Sequence, residues 1–158
     1  MFISPTDALV DTNLLLVLVV GLTDRDMISR FKRTAAYSAV DYDLLVEELA
    51  PFRQVVTTPT VLAETSNHLG QLGSPARESA RGRLFEMVLV WEEYYRASAS
   101  VMRDSDYLRL GLTDVAICDA ALPGRTIFTT DLGLYLALSR RGASVVNFNH
   151  LRSERLGL

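Results

Sequence analysis

One cysteine, Cys118, stands in a chain of 158 residues, so no internal disulfide and no cysteine-based zinc site can form. A reducing cytoplasm is the simplest home for such a chain. Lysine is almost absent: Lys32 is alone, and arginine carries nearly all the positive charge. The two histidines, His68 and His150, do not sit in an H-E-x-x-H pair. The sequence has no G-x-G-x-x-G fingerprint, no P-loop and no G-x-S-x-G elbow, which removes the common dinucleotide, nucleotide and serine-hydrolase signatures. Basic excess is missing as well; the net charge of −3 argues against a generic nucleic-acid coat. The strongest apolar run, Leu14–Val20, falls far short of the ~20 residues of a membrane span. Asp7 and Asp11 precede it where a signal peptide would carry positive charge. It reads as a buried helix. Repeats and low-complexity tracts are absent too.

Hydrophobic residues make up 49% of the chain and charged residues 22%, the balance of a folded domain with a proper core. The length suits one domain spanning 1–158. Apolar runs ending in polar turns predict strands at 8–10, 54–57, 126–130 and 143–148. Between them the spacing predicts helices over 14–20, 24–36, from about 41 to 52, 60–69, 75–97, 113–121 and 132–141, with a short helical or irregular piece at 104–110. Gly21 and Gly142 are read as helix stops. Leu84, Val88, Trp91 and Tyr95 are read as the apolar stripe of the 75–97 helix. Strands alternating with helices predict an α/β fold, with helices packed around a central parallel sheet.

Four carboxylates fall at informative places on this frame. Asp11 ends the first strand, Asp131 ends the third, Asp114 opens a helix, and Glu64 lies in the first turns of the helix after the second strand. In a parallel α/β sheet the C-terminal strand ends line one crevice, so these distant residues are expected to meet. Each acid alone has an ordinary explanation as a helix cap or a solvated charge. Together they repel; a pair at ~4 Å costs on the order of 4 kcal/mol at an effective dielectric near 20. Such a cluster holds either protons or a hard divalent cation. Asn13 and Thr12 are read as polar supports of Asp11. Asp119, about 140° around the helix from Asp114, is read as surface or second-layer. His68 is a weaker candidate for contacting phosphate or orienting Glu64. Arg77 and Arg81, i and i+4 on one helix, are a weak candidate for substrate phosphate contact. His150 is assigned no role.

The segments ALVDTN, TPTVLAE, GLTDVAICDAA and TIFTTD, ending at or containing Asp11, Glu64, Asp114 and Asp131, resemble in order and spacing the motifs of the PIN-domain nucleases, the group that includes the VapC-type toxins of toxin–antitoxin modules. The resemblance spans residues 7–148. It implies a three-layer α/β/α sandwich, Mg²⁺ or Mn²⁺ as cofactor, and hydrolysis of RNA phosphodiester bonds. It also implies a homodimer, and an antitoxin partner if the chain is a toxin. The family's acids map to Asp11, Glu64, Asp114 and Asp131, and its polar partners to Asn13 and Thr130. The stretch 24–54 is longer than in a compact toxin of this kind. Two rivals remain at this point. Haloacid-dehalogenase-like phosphatases and receiver domains also begin with a strand-end Asp, but Asn13 replaces the second Asp of the former, and Lys32 lies far from any strand end. A catalytically silent RNA-binding or protein-interaction scaffold is the other.

Overall fold

The computed structural model describes residues 5–158. Its centre is a five-stranded, all-parallel sheet in the order β3-β2-β1-β4-β5, formed by β1 (Asp7–Val10), β2 (Gln54–Thr57), β3 (Glu92–Glu93), β4 (Arg125–Thr129) and β5 (Ser144–Asn147). Helices cover both faces, giving the α/β/α sandwich expected. β1 pairs with β2 on one side and β4 on the other, Leu9 lying between Val56 and Ile127. Chain order steps outward from β1 to β2 and β3, then crosses back to β4 and outward to β5. Right-handed crossovers in opposite directions put their helices on opposite faces. The direction changes between β1 and β4, so the crevice outside those two strand ends is the place where α/β sheets bind ligands.

The helix α1 (Thr12–Thr23) follows β1 directly, and Asp11 caps it by accepting a hydrogen bond from the Leu14 N–H at 3.0 Å. Leu14 through Val20 are all buried, as befits a helix apolar on every side. Fully burying each such side chain contributes about 1.5–3 kcal/mol. α2 (Ala39–Leu49), α3 (Pro59–Leu69) and α4 (Ala76–Val90) enclose α1. Four-residue helices α5 (Ser98–Val101) and α6 (Tyr107–Leu110) lead into α7 (Leu112–Ala120); α8 (Leu132–Arg140) connects β4 to β5, and α9 (Phe148–Leu156) closes the described chain. Among the described residues no helix is long and apolar enough to cross a membrane.

Several expected boundaries differ. α1 continues through Gly21 because this glycine is a close-approach site: the Tyr42 ring packs where a Cβ would stand. Residues 24–36 form turns around a single 3₁₀ turn at Arg25–Met27, with no α-helix. Their charged sequence lacks a continuous apolar face; two anchors, Ile28 and Phe31, hold them down, and the buried Thr34 hydroxyl donates to the Ile28 carbonyl at 2.7 Å. The 75–97 helix ends at Val90. Trp91 turns extended, and Glu92 and Glu93 pair with Val56 and Thr57 as a fifth strand. Tyr95 therefore leaves the core stripe and is 74% exposed. The last strand stops at Asn147, whose side chain accepts from the Asn149 and His150 amides and starts α9.

The 24–54 stretch is built into the molecule. Asp41 is fully buried in the first turn of α2, where it accepts from the Ser38 amide at 2.8 Å. Arg152 of α9 reaches it with Nε at 2.6 Å and Nη2 at 3.1 Å, and also donates to the Ala36 carbonyl at 3.1 Å. The same guanidinium lies over the Tyr37 ring, 4.8 Å from its centroid.

Candidate functional site

The four acids emerge from four different elements, and threonine hydroxyls tie all four of these together. Asp11 is only 6% exposed at the end of β1. Its Oδ1 caps α1, and its Oδ2 accepts from the Thr129 hydroxyl at 2.6 Å and the Thr130 amide at 2.8 Å, both at the end of β4. The Thr129 hydroxyl in turn accepts from the Asp131 amide at 3.0 Å. Asp131 Oδ1 caps α8 through the Leu134 amide at 2.8 Å. Glu64, on an exposed face of α3, accepts from Thr12 at 3.1 Å with one oxygen and from Thr113 at 2.7 Å with the other. Thr12 follows Asp11 and Thr113 precedes Asp114, so each bond to Glu64 fixes the neighbourhood of another acid.

Asp114 stands apart from this frame, since no described residue hydrogen-bonds its carboxylate. It is half-buried, and its pKa is pushed up to about 6, first by burial and then by the negative charges of Asp131, Asp11 and Glu64. Burial also raises Asp11, against the hydrogen bonds it accepts, and Asp131 adds repulsion. The acids therefore share one electrostatic field in one crevice. Among the described residues, however, no three of His, Cys, Asp or Glu close up tightly enough to encircle an ion as they stand. The donor set is all carboxylate oxygen, the chemistry of Mg²⁺ and Mn²⁺. Mg²⁺ keeps several of its waters and needs only one or two direct carboxylates, so an open arrangement suits it. On donor chemistry and charge, the residues fit such an ion.

Asp114 carries a stability consequence. Its carboxyl titrates near 6 in the fold against an ordinary 3.8, so between those values the folded state binds more protons than the unfolded chain. Stability from this group is therefore present at acid pH and lost as pH rises through about 6. Asp114→Asn is expected to stabilise the ion-free protein at pH 7.5 by on the order of 1–2 kcal/mol once solvent screening is allowed for. Melting curves of both proteins would show it, with the gap closing below about pH 4. Equal melting temperatures across that range would mean that Asp114 feels no such field.

Asn13 donates to the Thr130 hydroxyl at 3.3 Å, so these two expected supports do meet. Burial and the Arg33 charge lower the pKa of His68, opposed by Glu64, which places the ring in the field of Glu64. The guanidinium of Arg77 is paired with Glu78 at 2.9 Å and Ser74 at 3.0 Å, and Arg81 donates to the Ser66 carbonyl at 3.3 Å. Neither arginine is among the main charges felt by Asp11 or Asp114. His150 packs edge-on against Tyr135, 5.6 Å between ring centroids.

Sequence reasoning missed four residues. Thr113 and Thr129 orient acids, and their only signal was adjacency to Asp114 and the Thr-Thr-Asp turn. Tyr37, from the long 24–54 stretch, faces the Thr130 side chain and feels the Asp11 charge. Asn149 reaches the Thr130 carbonyl at 3.4 Å from α9. Nothing local in the sequence marked the last two. No protein-family model matches the chain, and a search of curated proteins finds no match either.

Proposed function

We propose that the protein is a Mg²⁺- or Mn²⁺-dependent endoribonuclease of the PIN type, hydrolysing RNA phosphodiester bonds. The observation that carries this reading is the frame at the β1–β4 crevice: Asp11 and Asp131 joined through Thr129, and Glu64 joined to the neighbours of Asp11 and Asp114. Four acids turned toward one crevice, with no compensating Lys or Arg among the main charges at Asp11 or Asp114, support a site that takes a cation and, with it, a phosphate.

Asp11 and Asp131 would hold the ion directly, with Asp114 and Glu64 contacting it or its waters. The bound ion supplies Lewis acidity toward phosphoryl oxygen and a more acidic water, which is why no His or Lys base is required. The protein's own part is positional. Asp11 is immobilised by three donors, and Glu64 is held by two hydroxyls that fix its carboxylate plane. Asp114, free of hydrogen bonds, can adjust to the ion or accept a proton from attacking water. Asn13 and Thr130 line the mouth and offer polar groups to a phosphate. The expected products are a 5′-phosphate and a 3′-hydroxyl, as the resemblance implies. A homodimer in the cytoplasm, with an antitoxin partner if the chain is a toxin, completes this reading.

Removal of the ion is the direct test. Cleavage of a single-stranded RNA by the purified chain is expected to fall to background in EDTA and return with Mn²⁺. Undiminished cleavage in excess EDTA overturns the metal-dependent reading. The silent scaffold is a second reading, favoured by the open spacing of the acids. Calorimetry decides between them: a Mn²⁺ heat that disappears in Asp11→Asn supports the enzyme, and no heat in the wild type supports the scaffold.

A further inference from the structure

A cavity of about 80 Å³ lies between the start of α3, the length of α7 and residues 94–101. That is several times the roughly 10–15 Å³ that one water needs. Its polar walls are Thr58, Thr60, Arg96 and Asp119, and its aromatic walls are Tyr94 and Tyr95. α3 and α7 also carry Glu64 and Asp114, so cavity and crevice share two helices. Asp119 lies five residues from Asp114, about 7.5 Å along the helix axis.

Asp119 is the anomaly here. Its Oδ2 is buried and accepts no hydrogen bond from any described residue. The nearest cation, Arg96 Nε, stands 3.8 Å away, too far for a hydrogen bond. A buried carboxylate oxygen without a donor is costly; the Asp119 side chain as a whole is 29% exposed, so a ligand's N–H groups meet its open oxygen directly and reach the second once the carboxylate turns about its terminal torsion. Around it the aromatic walls differ in freedom. Tyr94 is fixed by its amide bond to the Thr57 carbonyl at 2.8 Å and by Arg125 over its ring at 5.2 Å. Tyr95 is 74% exposed and free to lie against a flat ligand.

We propose that this cavity is a guanine pocket that reads one base of a single-stranded RNA lying across the neighbouring acids. The setting rests on the nuclease reading; the base assignment rests on the cavity's own chemistry. A carboxylate wants two adjacent donors, and a nearby guanidinium wants an acceptor beside them. Guanine alone among the four bases presents N1–H and N2–H₂ side by side with O6 next to them. Adenine and cytosine put a ring-nitrogen lone pair beside their amino group, which an ionised carboxylate repels, and uracil flanks its single N–H with two acceptors. Stacking on tyrosine is how proteins hold unpaired RNA bases.

The test uses the full chain and the four nucleoside monophosphates. In titrations followed by calorimetry or NMR, GMP is expected to bind at least about tenfold more tightly than AMP, CMP or UMP, the scale of one bidentate contact. Asp119→Asn is expected to erase that preference, because its amide turns donors toward donors. Tyr95→Ala removes an exposed ring and so leaves the fold intact; it is expected to weaken GMP binding about fivefold or more. On a mixed-sequence RNA, cuts are expected at a fixed offset from G, and Asp119→Asn loses that offset. Equal binding of the four nucleotides overturns the pocket, whatever the chain does to RNA. Selective GMP binding with cuts indifferent to G overturns the RNA-reading role and leaves free guanine nucleotide as the occupant. GMP selectivity in a chain that cuts no RNA keeps the pocket and removes the nuclease reading instead.

Discussion

Asp11→Asn is expected to lower RNA cleavage by at least about 10²–10³-fold, the scale of losing one central electrostatic group, with the fold retained. The retained fold follows from two opposed effects. Asn has one oxygen where Asp11 uses two, so either the Leu14 amide or the Thr129–Thr130 pair of donors loses its acceptor. A lost cap or hydrogen bond costs about 1 kcal/mol. Against this, burial disfavours the Asp11 charge, and the amide removes that charge. Net stability should therefore move by about 1 kcal/mol or less. Cleavage gels and a melting curve on the same preparation measure both. A cleanly folded Asp11→Asn protein that cuts RNA at the wild-type rate, with contaminating nuclease excluded, sinks the site. A protein that fails to melt cooperatively would instead show that Asp11 serves mainly to join β1 to β4.

Arg152→Ala is expected to destabilise the protein by about 3–5 kcal/mol, the cost of leaving a buried charge without its partner. Asp41 is fully buried, and without Arg152 its carboxylate keeps only the Ser38 amide and hydroxyl as donors. The Ala36 carbonyl would lose a donor as well, and Tyr37 its covering cation. At this chain length the melting temperature should drop by about 6–20 °C. The double variant Asp41→Leu/Arg152→Met is expected to recover much of the loss, since apolar packing of similar volume replaces buried ion pairs well. Denaturant unfolding of the three variants checks this. A single-variant loss below about 1 kcal/mol would mean the 24–54 stretch is held by its apolar anchors alone.

These two pairs of residues also show what a sequence can and cannot reveal. Asp11 was legible because an apolar strand ending in Asp-Thr-Asn and followed by an apolar helix leaves few structural options. Asp131, Asp114 and Glu64 were legible for similar local reasons, and the parallel sheet that aligns them follows from alternating elements. The bond from Thr129 to Asp11 joins residues 118 apart in sequence, and no local pattern encodes it. The same holds for Asp41 and Arg152, which are 111 apart. β3 was illegible because Glu92-Glu93 has no strand-like alternation; it forms because β2 has an open edge beside it. α9 was illegible because FNHLRSERL lacks a continuous apolar face; Asn147 starts it, and Arg152 and Arg155 moor it to Asp41 and Glu48. Asp119 was read as peripheral from helical angle alone, and that angle is what turns it away from the acids and into the neighbouring cavity.

The acids are not anchored in equally firm ground. Asp11 begins a helix sunk in the main apolar cluster, whereas Val115 and Ala116, just after Asp114, belong to a small satellite cluster with Val101 and the short helices before α7; only from Ile117 onward does α7 join the main cluster, and Arg141 pins the segment before it through Asp104 and Asp106. Thin packing of that kind opens locally at far lower cost than a central strand. Breathing of the 98–114 stretch would part Thr113 from Glu64 and leave the Asp11–Thr129–Asp131 clasp shut. One side of the crevice is thus set in the main core and the other partly in a thinner cluster, and on the proposed nuclease reading the thinner side is the one expected to give way to a polymeric substrate.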